Sequence, residues 1–256
     1  MRKTLDIVWP KGVKTMSAFK ILLLGISLTA LAACGAKEKI SRNALIETPQ
    51  GPVQGVSTES ENIYNFKGLP FAAPPTGDLR WAAPAPALKW NETRLADSYG
   101  NRCMQPSDVE GGFFTRLIEG HGLGALKNFL IKRAVAAEKP SPMSEDCLYL
   151  NVRTANLNGE VKQPVMVWIH GGAYRSGQGA IPWYNGASFA TLGNIVVVTI
   201  NYRLGALGFT DLSSFAEGYE TSGVNGLLDQ IKALEWVQHN ISAFGGDPER
   251  VTIAGE

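Results

Sequence analysis

The chain has 256 residues, of which 45% are hydrophobic, and its formal net charge is +1. This length and apolar content are enough for one folded domain with a large core. The near-zero net charge argues against a protein that binds nucleic acid or an anionic membrane surface, because such proteins carry a basic stripe or patch.

Residues 1–34 have the character of an export signal. A short basic start at residues 16–20 precedes an apolar run over residues 21–33, which is too short to cross a bilayer. The run ends in Leu31-Ala-Ala-Cys34, which resembles the lipobox of bacterial lipoproteins, where the cysteine thiol receives the lipid. An ordinary cleaved signal, with Cys34 left as a free thiol, is the alternative.

The signal divides the chain into three parts. We expect residues 1–34 to be the export signal, with Met16 as the true start, residues 35–45 to be a tether, and residues 46–256 to be the folded domain. A lipid on Cys34 would anchor the protein to a bacterial membrane, facing the periplasm or the cell exterior.

The remaining secondary structure follows from the period of the apolar residues and the positions of glycine and proline. Strand alternating with helix across short connections predicts an α/β sheet with right-handed crossovers. The two central strands lack polar alternation, so both faces of the sheet should be covered. In chain order we predict short edge strands within 53–69, a proline-rich loop over 69–90, a helix over 125–138, strands over 148–152, 165–169 and 195–200, a helix over 227–244, and a buried strand from 251 to 254.

The second helix is predicted to be amphipathic. A stripe of apolar residues at spacings of three and four should pack on the sheet. The residues of this stripe are Leu227, Leu228, Ile231, Leu234, Val237, Ile241 and Phe244.

Cys103 and Cys147 form an even pair in a chain that we expect to be exported. Such a pair favours a disulfide, which would stabilise the fold by about 4 kcal/mol in the chain-entropy model. Two buried free thiols are the alternative.

The segment from Trp168 to Gly177 directly follows the predicted strand over 165–169 and begins Trp-Ile-His-Gly-Gly-Ala. Glycines permit positive φ and leave backbone N–H groups unobstructed. Ester hydrolysis needs such donors, because negative charge develops on the carbonyl oxygen in the transition state, and one donor is worth about 3–4 kcal/mol. A His-Gly-Gly stretch after a strand is typical of the oxyanion loop of lipases and esterases. The tripeptide by itself favours a plain glycine-rich turn.

Longer motifs decide between these interpretations. They are Phe66-Lys-Gly-Leu-Pro-Phe71, Leu79-Arg-Trp81, Ser144-Glu-Asp-Cys-Leu-Tyr-Leu-Asn-Val152, His170-Gly-Gly-Ala173, Asn201-Tyr-Arg-Leu-Gly-Ala-Leu-Gly-Phe209, Asn225-Gly-Leu-Leu-Asp-Gln230, Trp236-Val-Gln238, Phe244-Gly-Gly-Asp-Pro248 and Val251-Thr-Ile-Ala-Gly-Glu256. In this order they resemble the first half of the type B carboxylesterase family, which includes the cholinesterases.

The resemblance implies specific roles for residues of this chain. The N–H groups of Gly172 and Ala173 would form two arms of the oxyanion hole, with His170 and Gly171 supporting the loop. The resemblance also implies three structural pairs, which are the disulfide Cys103–Cys147 and the ion pairs Arg80–Glu145 and Arg203–Asp247.

The resemblance further implies a nucleophile elbow, Ser-Ala-Gly, directly after Glu256. The nucleophilic serine is then absent from this chain, and so are the acid and the base, which come later in chain order. We expect His121, His170 and His239 to be structural, since they lie in a glycine-rich loop, the oxyanion loop and a helix. The elbow-like stretch at residues 186–190 follows no strand and is expected to begin a surface helix that carries Ser188.

The resemblance implies an α/β-hydrolase fold, of which this chain holds the N-terminal half of a mostly parallel central sheet with an antiparallel N-terminal edge, truncated before the nucleophile elbow. The whole protein would be a serine esterase acting on a small-molecule ester, with no metal or cofactor, and the present chain would be inactive alone. A non-catalytic adhesion or binding member of the same fold and an inactive truncated gene product are the alternatives. The intact His-Gly-Gly-Ala loop favours the enzyme.

Overall fold

The computed structural model describes residues 40–58, 63–106, 120, 124, 129, 141–157 and 161–256. Residues Ile40–Glu256 form one unit. The predicted export signal with Met16 and Cys34 lies outside the described residues, as do His121 and most of the helix predicted over 125–138.

The elements of the described residues are as follows. The strands are β1 (Ile40–Thr48), β2 (Gly51–Thr58), β3 (Tyr64–Pro70), β4 (Arg94–Leu95), β5 (Arg102–Cys103), β6 (Met143–Ser144), β7 (Tyr149–Thr154), β8 (Gln163–Ile169), β9 (Val196–Ile200) and β10 (Gly246–Gly255). The α-helices are α1 (Ala187–Leu192), α2 (Gly205–Phe209) and α3 (Asn225–Asn240). Short 3-10 helices cover Gly77–Leu79, Pro182–Tyr184, Ser222–Val224 and Ile241–Phe244.

The main sheet has the strand order β1-β2-β3-β7-β9-β8-β10, with β4 beside β2. Its pairs are antiparallel from β1 to β9, and β9, β8 and β10 are parallel. Because the carboxyl ends of parallel strands meet at one edge of a sheet, the segment after β8 and the segment after β10 begin side by side. A functional site can therefore form where the carboxyl ends of β8 and β10 lie next to each other.

Strand β9 is buried on both faces as its sequence predicts, but the prediction is wrong in part for β8, whose second face is partly exposed. Every residue of β9 is buried, and along β8 Val165 and Val167 are buried. The aromatic core lies between this sheet and α3, where the Phe244 ring meets Phe66 edge-on at 4.8 Å and Trp236 at 5.6 Å. The proline-rich loop over 69–90 contains no α-helix, as predicted.

The apolar stripe predicted for α3 is wrong in part. Leu227 is 39% exposed and Ile231 is 51% exposed, so neither packs on the sheet as predicted. The buried face of the helix includes polar and small residues, which an apolar pattern does not identify. Asp229 is buried against Arg203, and Gly226 lies against Phe209, where a Cβ would come within 2.4 Å of the ring. The buried residues of this helix are Asn225, Gly226, Asp229, Ala233, Trp236, Val237 and Asn240.

The predicted tether over 35–45 also needs correction. Strand β1 begins at Ile40 and pairs with β2, where Ala44 lies opposite Gly55. Residues 40–45 therefore belong to the sheet. This strand could not be predicted from the sequence, because its apolar residues do not alternate regularly with polar ones.

The strand predicted from 251 to 254 is present within β10, but the prediction that it is buried is wrong. Ile253 is 56% exposed, and Thr252 is exposed as well. The reason is positional, since β8 is the single described strand that pairs with β10, and no described element covers the sheet face at Ile253.

Candidate functional site

The glycine loop, defined here as residues 170–179, follows β8 and lies against the end of β10. Gly255 is paired with Ile169 in the parallel register of these strands. Just beyond this pair, Gly171 meets the side chain of Glu256 so closely that a Cβ on Gly171 would lie 2.4 Å from the Glu256 Cγ. The sheet therefore brings the predicted oxyanion loop to the point where the chain leaves β10.

The tip of the glycine loop is built from three consecutive residues with positive φ. These are Gly172 at 103°, Ala173 at 54° and Tyr174 at 58°. The turn is closed by the Gly172 carbonyl, which accepts hydrogen bonds from the N–H groups of Arg175 at 3.0 Å and Ser176 at 3.2 Å. Left-handed backbone costs about 1–2 kcal/mol for a residue with a Cβ, so strain at Ala173 and Tyr174 marks the tip as a shaped segment.

The two predicted oxyanion donors are unused within the described part of the chain. Neither the Gly172 N–H nor the Ala173 N–H donates a hydrogen bond to any described residue, and both residues are exposed. Backbone N–H groups are obligatory donors, so such a pair is available to a ligand oxygen. Their role in catalysis stays a prediction.

His170 is a buried support of the loop. Its side chain is 1% exposed, its ring stacks on that of Tyr202 at 4.4 Å, and the Tyr202 hydroxyl donates to the His170 carbonyl oxygen at 2.7 Å. Burial lowers the pKa of His170 to about 4, against the smaller opposing effects of the Gly171 carbonyl and the Glu256 carboxylate. The imidazole is therefore neutral at pH 7.

The base of the loop is fixed by two side-chain amides that the sequence analysis did not select. Gln105 accepts a hydrogen bond from the Gly177 N–H at 2.8 Å and donates one to the Gly177 carbonyl at 2.9 Å. Asn201 accepts a hydrogen bond from the Gly179 N–H at 2.8 Å. Residues 176–179 are buried, whereas residues 172–175 are exposed.

Glu256 is held beside the loop by Tyr184, whose hydroxyl donates to the Glu256 Oε1 at 2.5 Å. The Tyr184 ring packs on Trp168, with ring centroids 5.1 Å apart. These contacts direct the final described residue towards the loop. A sequence pattern does not reveal them, because Tyr184 lies in a 3-10 turn far from Glu256 in sequence.

Cys103 and Cys147 are joined by a disulfide, with their Cα atoms 5.0 Å apart. Beside it, Arg80 forms a two-pronged ion pair with Glu145, with Nε–Oε2 at 2.6 Å and Nη2–Oε1 at 2.8 Å. The hydrogen bond to Glu145 raises the pKa of Arg80 above its ordinary value. The structure thus brings together both of these expected pairs.

The expected ion pair between Arg203 and Asp247 is wrong. Arg203 pairs instead with Asp229, through Nε at 2.8 Å and Nη2 at 2.8 Å, and the two side chains are 3% and 0% exposed. Asp247 pairs with its neighbour Arg250 at 2.7 Å, and the hydrogen bond from Arg250 lowers the pKa of Asp247. A local partner three residues away is easily reached by Asp247, while the buried guanidinium of Arg203 needs a buried carboxylate.

Other polar residues considered in the sequence lie away from the glycine loop. His239 is exposed on α3, where its Nδ1 lies 2.6 Å from the Glu235 carbonyl oxygen. Ser188 is exposed in α1, which begins at Ala187, so the elbow-like stretch begins a helix as predicted.

Among the described residues no cluster of three histidine, cysteine or acidic side chains is placed to bind a metal ion. None of the helices described is both long and apolar enough to span a membrane.

Known proteins resemble this chain along most of its length. A para-nitrobenzyl esterase of Bacillus subtilis is 42% identical over 212 residues, which are 83% of this chain and 38% of that protein. A fumonisin B1 esterase of Sphingopyxis macrogoltabida is 39% identical over 236 residues, covering 91% of this chain and 38% of that protein. The chain therefore spans about two fifths of the length of these relatives.

Solved structures agree with the sequence relatives. A crystal structure of a carboxylesterase of Geobacillus stearothermophilus matches with a TM-score of 0.66 at 40% identity, over 82% of this chain and 37% of that chain. A structure of a PNB esterase matches with a TM-score of 0.68 at 41% identity, over 84% of this chain and 39% of that chain. These neighbours have the α/β-hydrolase fold, so the predicted fold class is confirmed. The model of the carboxylesterase family matches residues 42–256, and the chain therefore belongs to the carboxylesterase family.

Proposed function

We propose that the protein is a serine carboxylic ester hydrolase and that the glycine loop is its oxyanion hole. The observation that carries this proposal is the pair of unused N–H groups at Gly172 and Ala173, on a strained tip that lies against Glu256 at the end of β10. In acyl transfer, negative charge develops on the former carbonyl oxygen, and fixed donors at that oxygen stabilise the transition state. A non-catalytic binding protein has no need of such donors.

The proposed reaction uses a serine that directly follows Glu256. Its hydroxyl oxygen attacks the carbonyl carbon of the ester, and its proton passes to a histidine base located beyond residue 256. The N–H groups of Gly172 and Ala173 donate to the oxyanion of the tetrahedral intermediate. The histidine returns the proton to the departing alcohol, and a water molecule then hydrolyses the acyl-enzyme by the same steps. By its hydrogen bond to Glu256, Tyr184 would help to orient the serine that follows.

The nucleotide sequence beyond codon 256 tests the proposal directly. A serine codon followed by codons for Ala-Gly is expected. Another residue at that position would contradict an esterase and favour the non-catalytic binding protein, whereas a stop codon would favour the inactive gene product. Fluorophosphonate labelling adds a chemical test, because the 256-residue chain should not react, while the form that contains the serine should be labelled and should release p-nitrophenol from p-nitrophenyl acetate.

We also propose that the protein is exported and carries a lipid on Cys34. The support is the basic start, the short apolar run and the small residues before Cys34. Labelling with radioactive palmitate in a bacterial host should mark the protein and place it in the membrane fraction. The Cys34→Ala variant should lose both the label and the membrane association. Membrane association that survives in Cys34→Ala would contradict the lipid anchor.

A further inference from the structure

The disulfide and the glycine loop are connected by two side-chain amides. Gln105 Nε2 donates to the Cys103 carbonyl at 3.1 Å as well as to the Gly177 carbonyl. Asn201 Nδ2 donates to the Cys147 carbonyl at 3.2 Å, while its Oδ1 accepts from the Gly179 N–H. Each cysteine of the disulfide is thus joined through one amide to the buried base of the loop.

The pairing of Gln105 with Gly177 is specific to a primary amide. Its Oε1 accepts from the Gly177 N–H and its Nε2 donates to the Gly177 carbonyl, so one side chain satisfies both backbone groups of one residue. A carboxylate can accept but cannot donate, and an apolar side chain can do neither. Loss of this pairing leaves two backbone groups in a buried segment without a partner.

A displacement of Gly177 would be transmitted to the tip by direct packing. A Cβ on Gly177 would lie 2.2 Å from the His170 Nδ1 and 2.6 Å from the Gly171 carbonyl oxygen, so Gly177 is seated directly on these residues. A Cβ on Gly172 would likewise lie 2.1 Å from the Ser176 carbonyl oxygen. Outside the loop backbone, the tip is held at Tyr174, whose carbonyl accepts a hydrogen bond from the Gly205 N–H at 2.7 Å and whose ring packs on Phe209 at 5.0 Å and on Tyr202 at 6.1 Å. The base therefore fixes the side of the tip that carries Gly172.

We propose that Gln105 and Asn201 are positioning residues, which hold the glycine loop on the disulfide-closed segment and so set the location of the Gly172 and Ala173 N–H groups. The catalytic consequence of this proposal rests on the proposed ester hydrolysis. Misplacement of donors by about 1 Å can lower turnover by about 10²-fold. Because the ground-state carbonyl binds these donors less strongly than the oxyanion does, the loss should fall on kcat rather than on KM.

Three variants of the serine-containing form test the catalytic effect, with p-nitrophenyl acetate as the probe. Gln105→Met keeps the length of the side chain and should lower kcat by about 10–100-fold with KM changed less than about twofold. Asn201→Asp keeps the acceptor for the Gly179 N–H, loses the donor to the Cys147 and Asn101 carbonyls and should also lower kcat. Gln238→Met is the matched control, because Gln238 bonds the Pro248 carbonyl near the start of β10, at the opposite end of that strand from Glu256, and it should leave kcat unchanged.

Gln105→Glu supplies a readout that a general loss of stability would not give. At neutral pH its carboxylate faces the carbonyl oxygens of Gly177 and Cys103 without a proton to donate. Protonation restores the donor, so the ratio of its kcat to that of the wild type should rise as the pH falls from 7 to 5. The positioning role would be overturned by two results together. The kcat ratio of Gln105→Glu would not change with pH, and Gln105→Met and Asn201→Asp would have the kcat of the wild type.

Amide hydrogen exchange in the 256-residue chain separates this inference from the proposed function. In Gln105→Met the N–H groups of Arg175 and Ser176, which bond the Gly172 carbonyl, should exchange at least about tenfold faster than in the wild type. Faster exchange confined to Gly177 would overturn the positioning role, whatever the activity. If the serine-containing wild type had no esterase activity, the proposed function would be overturned. The hydrogen-exchange result would still show whether Gln105 positions the tip of the glycine loop.

Discussion

Arg203 and Asp229 form a two-pronged ion pair that is almost fully buried, with side chains 3% and 0% exposed. Arg203 also donates through Nη1 to the Ala82 carbonyl, and its own N–H bonds the same carboxylate. The pair thus joins the segment after β9, the helix α3 and the proline-rich loop. A buried ion pair of this kind tolerates the loss of neither partner.

Asp229→Asn should therefore destabilise the protein strongly. It leaves the Arg203 guanidinium buried without a charged partner, which costs about 3–5 kcal/mol of the free energy of unfolding. Asp247→Asn is the matched control, because Asp247 belongs to a local pair with Arg250 near the surface and its loss should have little effect. Urea unfolding of the two variants measures the difference. Equal effects would contradict the central role of the Arg203–Asp229 pair.

Replacement of the Ala173 amide by an ester tests the donor itself. In the serine-containing form, exchange of the N–H for an oxygen atom removes the hydrogen bond to the oxyanion and should lower kcat on p-nitrophenyl acetate by about 10²–10³-fold. A proline at this position is unsuitable, because its ring fixes φ near −65° while Ala173 has a φ of 54°. The same exchange at Ala190, whose N–H bonds the carbonyl of Gly186 just before α1, is the control. Unchanged kcat in the Ala173 ester would show that this N–H is not an oxyanion donor.

Removal of the disulfide by Cys103→Ala with Cys147→Ala should lower the free energy of unfolding. The bond closes a separation of 44 residues, and the chain-entropy model gives a stabilisation of about 4 kcal/mol for a loop of this size. Urea unfolding of the wild type with and without dithiothreitol measures the same quantity. Dithiothreitol should have no further effect on the double variant, and an equally large effect on it would contradict the assignment to this bond.

Protonation of His170 should couple folding to pH. Its pKa is lowered to about 4 in the folded protein, while an unfolded histidine has its ordinary value near 6.5, so the unfolded chain binds more protons between these values. The stabilisation is fully present above pH 6.5 and is lost as the pH falls towards 4, by at most about 3 kcal/mol. His170→Gln should unfold with a flatter dependence on pH in this window. A variant with the same slope as the wild type would contradict the buried neutral imidazole.

Strand patterns and glycine spacing predicted part of the site. The apolar runs of β8 and β9 predicted the glycine loop at the end of a core strand, whereas its neighbour, the end of β10, is known from the parallel pairing in the structure. The pair Arg80–Glu145 could be expected because both residues lie in motifs of the family.

Other features depend on three-dimensional packing that no local pattern records. Positive φ at Ala173 and Tyr174 is imposed by the tight turn rather than by residue type, since neither residue favours that conformation. Asp229 lies on a helix whose apolar residues suggested a different buried face. Gln105 and Asn201 bond backbone groups that are distant in sequence, so no local pattern indicated Gln105, and the motif that begins at Asn201 did not reveal its contact with Gly179.

The contact of Gly171 with Glu256 has an evolutionary consequence. A methyl group at position 171 and the present carboxylate chain at position 256 would compete for the same volume, because a Cβ there would lie 2.4 Å from the Glu256 Cγ. Enlargement at position 171 therefore requires either a smaller residue at position 256 or a rotation of the Glu256 side chain that breaks its hydrogen bond with Tyr184. In a library of the serine-containing form randomised at both positions, active members with a side chain at position 171 should be enriched in small residues at position 256, which makes the two sites a covarying pair.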